Sequence, residues 1–252
     1  MAVKDQLGRS TSRRHEKVIR AAGRADLRQR LFERRFLVLV LIAWFPLVVI
    51  LAGLGYFEYS TGVRDLTTFV FADILAKKSS AVLMRLLGVM TTVSYSALLI
   101  AGVCAGLISY SCNYIPGTAK GKVVWGAIAV LLFLAALDER FVFHEEAGKQ
   151  LGMNDALIVA LYPAAVLALA VWRRSELLRF RRNSWLLYIV AAALLTSIVV
   201  DYFYIFDKRY AYMTLAEDGA KVFASVSLCL LILKCLLDQL RLPYETQSSV
   251  SV

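Results

Sequence analysis

The chain has 252 residues, of which 59% are apolar, yet 29 Lys and Arg outnumber 19 Asp and Glu and give a net charge of +10. A mean hydropathy of +0.63 excludes an ordinary soluble domain. With 14 Gly, 4 Pro and 12% aromatic residues, the composition also excludes a disordered or collagen-like chain. A nucleic-acid-binding protein would explain the charge but not the hydropathy, whereas a multi-pass membrane protein with its basic residues on one side explains both.

Six apolar runs follow a polar and basic segment at residues 1–35. The first run, residues 36–57, is long enough at about 1.5 Å per residue to cross a hydrocarbon core of about 30 Å. The later runs cover about residues 88–110, start at Val123, cover residues 156–172, start at Trp185 and end near Leu240. The pattern predicts an all-α protein, a bundle of six transmembrane helices over residues 36–241 followed by a tail at 242–252.

The distribution of charge predicts the orientation of this bundle. The segment at 1–35 carries +7, and the connections at 111–122 and 173–183 are also basic, while the tail, counted from Lys234, is neutral. These segments together hold +13, and the three connections on the other side are net negative. The positive-inside rule therefore places both termini in the cytoplasm. The expected partners are the lipid bilayer and other membrane subunits, and not nucleic acid.

The connection between the first two runs is long for a simple loop. Residues 67–76 are apolar except for Asp73, and Lys77 and Lys78 follow them. This stretch is too short to span a membrane, so we expect an interfacial or re-entrant helix at 64–80.

Three of the runs place charged residues at membrane depth. From Val123 only 15 apolar or small residues, about 22 Å of helix, run before Asp138. Three charged residues at 138–140 are followed by three apolar residues at 141–143 and then by polar residues at 144–146. The run that starts at Trp185 reaches Asp201 after 16 residues, and apolar residues 202–206 follow. All of these charges fall on the predicted non-cytoplasmic side, and they comprise Asp138, Glu139, Arg140, His144, Glu145, Asp201, Glu217, Asp218 and Lys221.

Helical geometry suggests how these groups are used. Asp138 and Glu145 lie within about 20° of each other on a helix, so they can form a carboxylate pair. The sequence predicts Asp138, His144, Glu145 and Asp201 as ligands of a divalent metal ion, the candidate cofactor. It predicts a proton or ion cluster made of Glu139, Arg140, Glu217, Asp218 and Lys221.

Each charged residue also has a structural interpretation. Glu217 follows Thr214 in the Thr-x-x-Glu pattern of a helix-capping box, and it also stands four residues before Lys221, where an ion pair forms within a helix. Asp138, Glu139 and Arg140 can equally form a buried ion cluster that fixes the packing of the helices.

Two established metal motifs do not fit the sequence. A di-iron bundle needs Glu three residues before His, where Phe141 stands, and a zincin needs a second His where Gly148 stands. The run Leu-Asp-Glu-Arg-Phe-Val-Phe-His-Glu at 137–145 resembles a group of largely uncharacterised bacterial multi-pass membrane proteins. These carry Asp-Glu, four residues and His-Glu, with a later acid pair before a Lys, as at 217–221. The resemblance implies a bacterial inner-membrane protein and no known activity.

Three functions remain open. In the first, the charges bind a cation or relay protons in a transporter, channel or sensor. In the second, they form a metal-dependent active site for a lipid or small molecule, with Glu139 as acid or base. In the third, they lock the assembly of a structural subunit.

Overall fold

The computed structural model describes residues 2–61, 88–115, 121–141, 150–152, 155–172, 184–204 and 211–250. Within these ranges the chain forms six helices and no strand, which confirms the all-α prediction. The helices are α1 (Ala2–Thr61), α2 (Val89–Ser111), α3 (Gly121–Phe141), α4 (Asp155–Trp172), α5 (Ser184–Tyr204) and α6 (Ala211–Val250). The predicted interfacial helix at 64–80 falls outside the described residues.

Among the described residues, four helices are long and apolar enough to cross a membrane. They are α2, α3, and the stretches Gln29–Tyr56 of α1 and Leu215–Arg241 of α6, while α5 contains a shorter apolar stretch. Large apolar side chains lie exposed on α1, where Phe45 is 72% and Ile42 is 64% accessible. Such a surface suits contact with lipid rather than with water. The six spans and the cytoplasmic termini stay predictions.

The chain divides into two compact units. The first consists of Met1–Ala43 with Pro243–Val252, and the second of Trp44–Leu242. Both α1 and α6 continue through the boundaries that the sequence suggested, so no helix end marks residue 35 or residue 242. The division into residues 1–35, 36–241 and 242–252 stays a prediction. All of the charged residues considered below lie in the second unit.

The main core of the second unit lies among α2, α3 and α6. Ala101, Ala105 and Ala136 are fully buried there, and a Cβ atom at Gly102 would lie only 3.3 Å from the Phe133 ring. Small residues at these positions let the two helix backbones approach closely, as is common where membrane helices pack. This close packing fixes the end of α3 against its neighbours.

A buried hydrogen bond between hydroxyl groups joins α2 to α6. The Ser94 hydroxyl donates to the Ser225 Oγ at 2.9 Å. An aromatic group joins α1, α5 and α6 in the same unit, because Trp44 lies edge-on to Trp185 at 6.2 Å and packs on Phe223 at 5.0 Å. The first half of α6 is therefore held by contacts to α1, α2 and α5.

Candidate functional site

The last turn of α3 carries three successive charged residues, Asp138, Glu139 and Arg140. Successive residues of a helix point about 100° apart, so these three side chains leave α3 in different directions. The structure shows that each of them meets a different neighbouring helix. The end of α3 is thus a junction from which charged groups reach α4, α6 and α2.

Asp138 interacts with α4. Its side chain is buried, with 5% of the residue accessible, and it accepts a hydrogen bond from the Tyr162 hydroxyl. A carboxylate that is removed from solvent needs such donors, because an unpaired buried charge is strongly unfavourable. Tyr162 therefore supports the position of Asp138.

Arg140 meets α2 through an aromatic ring. Its guanidinium carbon lies 5.9 Å from the centroid of the Tyr95 ring, within the range of a cation–π interaction. A buried hydroxyl pair, Ser94 with Ser225, lies next to Tyr95 along α2. This end of α2 therefore presents polar groups towards both α3 and α6.

Glu139 lies close enough to the first turns of α6 to interact with their charges. It interacts electrostatically with both Asp218 and Lys221. The Lys221 Nζ lies 2.6 Å from the Glu217 Oε1 and 3.6 Å from the Asp218 Oδ1. The three α6 side chains are partly buried, at 13% accessible for Glu217 and just over a quarter for the other two. We call Glu139, Glu217, Asp218 and Lys221 the charged cluster, which contains three carboxylates and one ammonium group.

A family model described as a domain of unknown function (DUF8692) matches residues 35–235, about four fifths of the chain. The chain belongs to this family. No curated protein and no solved structure matches it significantly. Membership of DUF8692 agrees with the predicted resemblance to an uncharacterised family. The Asp-Glu-x4-His-Glu motif as a mark of that family, and a bacterial origin, stay predictions.

The DUF8692 match includes every member of the charged cluster. The structure brings together four of the five residues predicted as a proton or ion cluster, whereas Arg140 lies over Tyr95. Glu217 forms the predicted ion pair with Lys221. The capping-box interpretation of Glu217 is wrong, because α6 begins at Ala211 and Thr214 lies within its first turn rather than at its N-cap.

The predicted metal site stays a prediction. His144 and Glu145 fall outside the described residues, and for Asp201 only the backbone, in the last turn of α5, is described. Among the side chains that the structure does describe, no three from His, Cys, Asp and Glu lie close enough together to hold a metal ion. Asp138 is the one predicted ligand whose side-chain surroundings are described, and it lies against Tyr162.

An apolar groove of about 540 Å³ lies between α1, α5 and α6. Its lining includes Leu51, Gly219 and Phe223, and the one hydroxyl group in it belongs to Thr196. Gly219 and Phe223 lie about 100–160° around α6 from Asp218 and Lys221. No charged side chain from the described part of the chain lines the groove.

Sequence reasoning missed the two tyrosines of this site. Tyr95 and Tyr162 each stand alone in an apolar run, where a tyrosine is also common as a core or interface residue. Their hydroxyl groups were the one available signal that they belong to the site. A buried hydroxyl group requires a hydrogen-bond partner, and charged residues stood at the same predicted depth.

Proposed function

We propose that this DUF8692 protein is an integral protein of the bacterial inner membrane in which the charged cluster relays protons, in a transport, channel or sensor role. The observation that carries the proposal is the Glu217, Asp218 and Lys221 group on α6, with Lys221 at 2.6 Å and 3.6 Å from the two carboxylates, together with its electrostatic interaction with Glu139 on α3. Both helices are candidate membrane spans. Ionisable side chains within such spans are costly, about 2.5–3.5 kcal/mol for a central charge, and commonly mark ion or proton pathways.

Lys221 favours a proton over a metal cation at this cluster. Its ammonium group lies between Glu217 and Asp218, at 2.6 Å and 3.6 Å from their carboxylate oxygens. It therefore occupies the position that a bound cation would take, and the cation would have to displace it. A proton needs no such space, since it moves between a carboxylate, an ammonium group and water along hydrogen bonds.

With both termini in the cytoplasm, as the positive-inside rule predicts, the charged cluster lies towards the outer face. Tyr162 on Asp138 and Tyr95 on Arg140 then hold the end of α3 while protons exchange at Glu139. In this proposal the bilayer is the main partner of the protein. The basic cytoplasmic segments of the protein set the orientation of the helices in the membrane.

Proton flux through reconstituted protein tests the proposal. The purified full chain is placed in liposomes that contain a pH-sensitive dye, and a potassium gradient with valinomycin sets the membrane potential. We expect wild-type protein to admit protons faster than empty liposomes, and Glu139→Gln to reduce the rate to that of empty liposomes. Glu33→Gln, which removes the same charge outside the cluster, is the matched control and should leave the rate unchanged.

A structural role for the same charges is the alternative that the structure favours most, because Asp138 and Arg140 each join α3 to a neighbouring helix. It predicts that Glu139→Gln lowers the melting temperature of the protein and that wild-type protein admits no protons. A wild-type rate equal to that of empty liposomes would therefore contradict the proton relay.

A further inference from the structure

A second ion pair lies in the other half of α6, away from the charged cluster. Lys234 is buried, with 5% of the residue accessible, and its Nζ lies 2.7 Å from the Asp238 Oδ1. Lys234 stands seven residues before Arg241, the end of the candidate span, and is therefore about 10 Å inside that span. Lys234 falls within the membrane domain predicted at 36–241, although its charge was counted with the tail.

This pair is not explained by stability. The Lys234 ammonium group is removed from water, which costs about as much free energy as the attraction of a carboxylate returns. The Asp238 side chain is 31% accessible, and the remaining solvent weakens that attraction further. Nor is Lys234 a boundary residue that extends its ammonium group into water, since its side chain is only 6% accessible. Ionisable groups held at such depth commonly belong to a pathway.

The stretch of α6 between the two charged sites contains a polar part and an apolar part. The polar part holds Ser225, which bonds to Ser94, and Ser227, which is fully buried and whose hydroxyl has no hydrogen-bond partner among the described residues. Ser227 and Lys234 lie seven residues apart, and therefore on the same face of α6 within about 20°. Apolar residues 228–233, which include the buried Leu230, separate them by about 10 Å.

We propose that Lys234 and Asp238 form a second proton-exchange site, so that α6 carries one site on each side of an apolar barrier. This inference rests on the proton relay proposed above. The proton passes from the Lys234 ammonium to the Asp238 carboxylate, which leaves a neutral amine and a carboxylic acid. The neutral amine of Lys234 then takes a proton that arrives from the side of Ser227. The carboxylic acid of Asp238 releases its proton towards the C-terminal end of α6, and the original ion pair is restored.

Two variants separate proton exchange from a structural role. Lys234→Arg keeps the positive charge and the pairing with Asp238, but a guanidinium group does not release its proton. The double variant K234M/D238L removes both charges together and leaves neither partner buried alone. Both are measured as full-length protein in the liposome assay, with melting temperature in detergent as the check of folding. Lys122→Met, at an exposed lysine of α3, is the matched control.

We expect Lys234→Arg and K234M/D238L to melt near the wild-type temperature and to lose proton flux to the level of empty liposomes. Proton flux at the wild-type rate in Lys234→Arg or in K234M/D238L would overturn the second site. If Glu139→Gln still lost its flux in that case, the proton relay at the charged cluster would stand without the second site. Absence of flux in the wild-type protein would overturn both proposals.

Discussion

Replacing Lys221 by methionine is expected to lower the melting temperature of the protein and to destabilise it by about 2 kcal/mol. The substitution removes the ammonium group that lies 2.6 Å from Glu217 and 3.6 Å from Asp218, and leaves these carboxylates and Glu139 without the positive charge that they share. Breaking a fully buried pair costs about 3–5 kcal/mol, and the partial exposure of these side chains reduces that figure. Thermal unfolding of the purified protein in detergent measures the effect.

Two further variants show whether the loss at Lys221 is electrostatic. Lys221→Arg keeps the charge and should melt close to the wild-type temperature. The double variant K221M/E217Q removes one of the unpaired carboxylates, and we expect it to recover part of the lost stability. Equal melting of Lys221→Met and wild-type protein would show that the charged cluster is not coupled as the structure places it.

Replacing Tyr162 by phenylalanine is expected to destabilise the protein by about 1.5–3 kcal/mol, the usual contribution of a hydrogen bond to a charged group. The substitution removes one hydroxyl group and leaves the buried Asp138 carboxylate without the donor that α4 supplies. The same unfolding measurement detects the change.

Tyr188→Phe is the matched control for this prediction, because it deletes the same hydroxyl from a residue of α5 that is 72% exposed. It should leave the melting temperature unchanged. If Tyr162→Phe and Tyr188→Phe behave alike, then the hydrogen bond between α3 and α4 contributes nothing to stability, and Tyr162 does not support Asp138.

The end of α3 could be predicted because an apolar run there is too short to cross a bilayer. Asp138 to Arg140 interrupt it 15 residues after Val123. Because placing charged side chains at that depth costs free energy, they are expected to pair with other polar groups of the protein. The same reasoning identified Glu217, Asp218 and Lys221, whose spacing on one helix predicts their pairing. Patterns within a helix are therefore visible in the sequence.

Contacts between helices were not visible in the same way. Nothing in the sequence indicates that Asp138 meets Tyr162 while Glu139 meets α6, because both depend on how α3 is rotated against its neighbours. The sequence counted the charge of Lys234 with the tail and did not predict its burial. Its burial follows from the packing of α6 among other helices, which a single sequence does not reveal.

Infrared difference spectroscopy of the reconstituted protein between high and low pH tests the central claim most directly. It observes the protonation of carboxylates themselves, whereas flux also depends on the rest of the pathway. We predict that a protonated carboxyl band, to which every titrating acid contributes, appears in wild-type protein at low pH. We expect it to lose intensity in Asp218→Asn, while the variant melts as the wild type does. A band that is unchanged by Asp218→Asn and by Glu139→Gln would show that the charged cluster keeps its protons fixed, and would contradict its role as a proton relay.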